Sequence, residues 1–129
     1  SVHDLEVVYE RRLSEIAKSD AELATPGTSG FAKGLLRGVW QNRLESDVRI
    51  QRAAPKYPVE SIAVIDRSVL RLAIWELLVD NSAPVGAVVN EAVELARSYG
   101  SDSSPSFVNG VLRTISAEIS EQRKKIKEI

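Results

Sequence analysis

The chain reads as all-α: a single-domain bundle of about five helices, resembling no strand-built fold. Three observations predict this. Apolar residues recur at spacings of three and four, the period of one face of a helix. The proline-bearing segments fall between these runs, where they punctuate helices. No segment alternates apolar and polar residues convincingly enough to predict a strand. At 129 residues, 43% hydrophobic and 27% charged, the chain has the size and composition of one globular domain with one core.

The first helix is short and amphipathic, over Ser1 to Lys18, with Leu5, Val8, Tyr9, Leu13 and Ile16 on one stripe. Ser19 to Gly30 contains Thr25-Pro26-Gly27 and predicts a loop. Thr28 or Ser29 can cap a long second helix, with the stripe Phe31, Leu35, Val39, Leu44 and Val48, which must end before Pro55. Pro55 and Pro58 disfavour the α conformation in the residues before them, so the segment around Lys56-Tyr57 is a turn.

A third helix, Val59 to about Val79, is apolar around more than one face and is expected at the centre of the bundle. Asp80-Asn81-Ser82 breaks it, and Pro84 opens the fourth helix, which runs to Tyr99. Gly100 stands where a left-handed terminating residue is expected. Asp102, Ser103 or Ser104 caps the last helix, with Pro105 in its first turn and Phe107, Val108, Val111, Leu112, Ile115 and Ile119 on its stripe. Residues 120–129 are mostly charged and are expected to fray.

Composition narrows the chemistry. Cysteine is absent and His3 is the one histidine, so neither a disulfide framework nor a thiolate metal site can form. There is no Ser-His-Asp or Cys-His set and no glycine-rich phosphate loop, so the expected chemistry is binding, without catalysis, cofactor or metal. No apolar run approaches the ~20 residues of a membrane span, and a cytoplasmic location is expected. The formal charge is -1, so any nucleic-acid site must be a local patch.

Three ordered segments carry a family resemblance. They are Ile65-Asp66-Arg67-Ser68-Val69-Leu70-Arg71-Leu72-Ala73-Ile74-Trp75-Glu76-Leu77, then Val88-Val89-Asn90-Glu91-Ala92-Val93-Glu94-Leu95-Ala96-Arg97-Ser98-Tyr99-Gly100, then Phe107-Val108-Asn109-Gly110-Val111-Leu112. Together they resemble the NusB family, and Phe31 to Trp40 adds weaker support. The resemblance implies an all-α domain of two helical sub-bundles working without cofactor or catalysis. It implies pairing with NusE, a ribosomal small-subunit protein, and binding of boxA RNA within the antitermination complex of RNA polymerase. Members usually open with an arginine-rich helix that supplies much of the RNA contact, whereas this chain opens at Ser1-Val2-His3-Asp4-Leu5, after that helix. Apolar surface exposed by its loss would make a second copy of the chain a candidate partner. The same domain also occurs ahead of a methyltransferase that modifies cytosine in ribosomal RNA, and Val111-Leu112-Arg113 fits that group too.

The resemblance also marks site residues. Glu60 and Asp66 match acidic family positions linked to the NusE contact, where they would meet basic residues; alternatively they complement the dipole of their helix. Phe107 matches a family aromatic at the RNA surface, able to stack an unpaired base or to serve as core. Ser103, Ser104 and Ser106 could bond phosphates or cap the helix. Independently of the family, Arg43, Arg49, Arg52 and Lys56 cluster beside Tyr57 and form the best internal basic patch, although Glu45 and Asp47 are interleaved. Arg52 and Lys56 are the phosphate candidates taken from it. Asn90 and Glu91 read as helix-tying polar groups, and Gly110 as a point of close approach between helices.

Overall fold

The structure is a computed structural model that describes residues 37–80 and 83–127. The helix expected over Ser1 to Lys18, the loop after it and the Thr28 or Ser29 cap lie outside the described residues. Within them the fold is all-α as predicted: helices and turns, with no strand among the described residues.

Residues 37–41 are helical and lead into α1, Arg43–Ala53. The predicted long helix is dented between them at Asn42, a single turn residue with φ -91° and ψ 2°. Backbone bonds from Asn42 N to Gly38 O and from Ser46 N to Asn42 O, each 3.1 Å, carry the chain across the dent. Gly38 permits this segment to cross the central helix, because a Cβ there would stand 2.8 Å from the indole nitrogen of Trp75. Ala54, φ -131° and ψ 66°, leaves the helix because Pro55 follows it.

The central helix begins later than its apolar spacing suggests. Val59–Ser61 form a 3₁₀ turn, Ile62 and Ala63 are extended, and α2 runs Val64–Trp75. Ile62 is buried all the same, reached by an extended backbone that its helical spacing to Ile65 and Val69 does not reveal. Past Trp75 the chain widens into a π turn, Glu76–Asp80. There the Leu77 carbonyl accepts a 2.6 Å bond from the Arg123 guanidinium on the last helix.

Pro84 stands one residue before α3, Val85–Tyr99, and its carbonyl accepts from the Val88 amide at 3.2 Å. Gly100 closes α3 without the predicted left-handed geometry: φ is -98° and ψ -164°. Glycine is needed there for space, since a Cβ would lie 2.4 Å from Ser104 Oγ. The last helix, α4, runs Ser104–Lys127. Residues 120–127, expected to fray, are helical, and Arg123 together with Gln122 ties them to the π turn and to α1.

α3 and α4 form a helical hairpin, and α2 packs against α1, α3 and α4. The core gathers Ile50 of α1, Val69, Leu70 and Ile74 of α2, Ala92 and Ala96 of α3, and Leu112 and Ile115 of α4. An ion pair fixes α1 on α2: the Arg71 guanidinium donates to both oxygens of Asp47, at 2.8 and 2.7 Å.

Candidate nucleic-acid and protein interface

Gln51, near the end of α1, shapes the turn that follows. Its side-chain nitrogen donates to the Tyr57 carbonyl at 2.9 Å and the Ala54 carbonyl at 3.3 Å, while its oxygen accepts from the Val59 amide at 3.1 Å. One amide therefore satisfies three backbone groups of a proline-bounded turn that cannot satisfy them in a helix. Tyr57 is held with its ring more than half exposed, and Lys56 and Arg52 are exposed beside it in the chain.

The far side of this patch comes from the start of α4. Ser104 is fully buried, and its Oγ accepts from the Ser101 amide at 2.9 Å, fastening the hairpin turn. Ser103 and Ser106 are exposed and Phe107 is half-buried. The rings of Phe107 and Tyr57 meet edge to face, centroids 5.8 Å apart at 79°. Phe107 thus serves both readings of its sequence position, packing on the core and bordering an exposed aromatic face. Two segments fifty residues apart, each singled out separately, join into one surface through this contact. The sequence marks Tyr57 only as a neighbour of the basic residues; its contact with Phe107 depends on a turn whose path Gln51 sets.

The basic cluster does not hold together. Arg49 is buried, reaching Glu45 at 3.6 Å and Gln122 at 3.5 Å, and Arg43 lies 3.8 Å over the Trp40 ring. Nine helical residues separate Arg43 from Arg52 and place it on the opposite side, while Arg49, only one turn from Arg52, is buried where the last helix packs on α1; Arg52 remains exposed with Lys56. Asp47, which interrupted the cluster in sequence, is turned to Arg71.

The two acids part company as well. Glu60 is exposed on the 3₁₀ turn, at the rim of an open groove of about 450 Å³ whose walls include Leu44, Val48 and Arg67. Leu44 and Val48 are 70% and 58% exposed, large apolar groups left in solvent on one face of α1. Asp66, expected at an outer position, is only 6% exposed, with Oδ1 buried and without a hydrogen-bond partner among the described residues. Asp66 lies in the first turn of α2, where the helix dipole favours a carboxylate, and the packing around that turn covers it. Asn90 is exposed rather than tying helices, and it lines a shallow trench with Arg97 and Asn109 between α3 and α4. Among the described residues no group of three or more histidine, aspartate or glutamate side chains could hold a metal ion, and no helix is long and apolar enough to cross a membrane.

Such a molecule is a small helical domain presenting an aromatic, hydroxyl and basic face on one turn-and-helix junction and an apolar, acid-rimmed groove on another. The model of the NusB family matches residues 3–117. The chain belongs to that family. A transcription antitermination protein NusB of Chloroflexus aggregans is 40% identical over 128 residues, 98% of this chain and 81% of the relative. The protein of the same name from Herpetosiphon aurantiacus is 43% identical over 118 residues, 89% of this chain and 77% of the relative. A solved structure of T. maritima NusB superposes with a TM-score of 0.72 at 34% identity, covering 91% of this chain and 85% of that one.

Proposed function

We propose that the protein is a transcription antitermination adaptor of the bacterial cytoplasm that pairs with the ribosomal protein NusE and binds boxA RNA, bringing both to RNA polymerase. The names of its relatives support the antitermination role. The observation that carries the RNA half is the Tyr57–Phe107 contact, because it unites an exposed aromatic ring, the Lys56 and Arg52 cations and the Ser103 and Ser106 hydroxyls. Single-stranded RNA is bound by this combination: rings take bases, and cations and hydroxyls take phosphates. NusE takes the groove beside Glu60, where Leu44 and Val48 supply apolar contact and Glu60 orients a basic partner. Asp66 acts beneath that surface, supporting the start of α2 on which the groove rests.

Titration of the chain with NusE and with a labelled boxA RNA tests both halves. Binding of each is expected, with Phe107→Ala weakening RNA roughly tenfold or more and Glu60→Lys slowing association with NusE while leaving RNA unaffected. Absence of NusE binding would rule out the adaptor reading.

A further inference from the structure

The described glycines divide into two kinds. A Cβ at Gly38 would press on Trp75, and one at Gly100 would collide with Ser104, so packing inside the molecule accounts for both. At Gly86 and Gly110 a Cβ would meet nothing within 4 Å among the described residues. Close approach between helices therefore does not explain Gly110. Its backbone is not in the left-handed region either, and it lies seven residues into α4, Ser104–Lys127, where glycine weakens a helix relative to alanine. Nothing within the described fold compensates for that weakening.

Its neighbours on the helix surface point outward to a ligand. Residues three, four and seven apart share a helix face. Counting back from Gly110 these are Phe107, Ser106 and Ser103; counting forward, Arg113 and Thr114, both exposed. Gly110 thus lies about 4.5 Å along the axis from Phe107, on the same strip as the aromatic edge and the hydroxyls. Thr114 Oγ1 turns back to the Gly110 carbonyl at 3.3 Å and Arg113 bonds Asn109 at 3.3 Å, so neither side chain fills the space above the glycine.

We propose that Gly110 is a bare step on which a single-stranded RNA crosses α4, its sugar-phosphate backbone lying against the helix while an adjacent base reaches the Tyr57–Phe107 rings. This inference rests on the RNA-binding reading above and adds a positioning residue to it. Gly86 provides the control, an open helix glycine in the first turn of α3, more than three turns of helix from the hairpin end that carries Phe107.

The test pairs thermal unfolding with affinity for a labelled boxA RNA, measured for the full chain with NusE present. Gly110→Ala is expected to raise the unfolding midpoint by about 4 °C and to weaken RNA binding roughly tenfold, whereas Gly86→Ala leaves RNA binding unchanged. Wild-type affinity in Gly110→Ala, or a lowered midpoint, overturns the proposal. If Phe107→Ala loses affinity while Gly110→Ala does not, the crossing is wrong and the RNA-binding reading stands; if the unaltered chain fails to bind the RNA, both fall.

Discussion

Gln51 has no charge and stands in no recognised motif, yet the geometry of the RNA-facing turn depends on it. Its three hydrogen bonds reach the backbone of Ala54, Tyr57 and Val59 across a segment containing Pro55 and Pro58, which lack N–H groups of their own. Replacing it with alanine leaves the Tyr57 carbonyl and the Val59 amide to solvent and the Ala54 carbonyl with the Tyr57 amide at 3.1 Å, which loosens the turn. Gln51→Ala is expected to lower stability by about 1 to 2 kcal/mol, each lost bond contributing on the order of 0.5 to 1.5 kcal/mol with partial recovery by water. Because Tyr57 would no longer be held against Phe107, RNA affinity should fall by more than the stability loss alone implies. Denaturant unfolding beside an RNA titration separates the two effects. A variant that binds RNA as the wild type does would show that the turn keeps its shape without the clamp.

At the scale of elements, the apolar spacing predicts the helices of the described residues, and the breaks between them fall in segments marked by Pro55 and Pro58, by Pro84 and by Gly100, so this part of the bundle is legible from the chain. The parts that were not legible share a cause. Ile62 keeps helical spacing with Ile65 and Val69 but is reached by extended backbone, because a buried position can be filled from either conformation. Asp66 looks like an outward acid by charge, yet neighbouring elements cover it. Arg49 and Arg52 sit three residues apart with opposite fates, since the face a helix presents is decided by what packs on it. The Arg71–Asp47 pair belongs to the same class: two charges 24 residues apart, at side-chain exposures of 9% and 22%, holding α1 to α2. Asp47→Ala strands a nearly buried guanidinium and is expected to cost about 3 kcal/mol, the lower end for breaking a buried pair. The double change Asp47→Ala with Arg71→Met should cost markedly less, because no charge is then left without a partner. Thermal melts of the two variants check this, and equal losses would show that Arg71 finds another acceptor.

For the whole molecule, net charge and local charge pull in different directions. With a formal charge of -1 the chain has no long-range attraction for a polyanion, and its RNA affinity must come from a few cations at short range together with the aromatic face. That division makes the salt dependence of binding a measure of how the site is built. If Arg52 and Lys56 each neutralise one phosphate, the logarithm of the association constant should fall with the logarithm of salt concentration at a slope of about -1.4, since each contact to a single strand contributes about -0.7. Joint replacement of Arg52 and Lys56 by alanine should flatten the slope almost to zero while leaving part of the affinity, carried by Tyr57 and Phe107. Phe107→Ala should do the reverse, lowering affinity at every salt concentration with the slope preserved. A steep slope that survives the loss of both cations would mean that the RNA follows another basic surface and that the Tyr57–Phe107 junction is not where it binds.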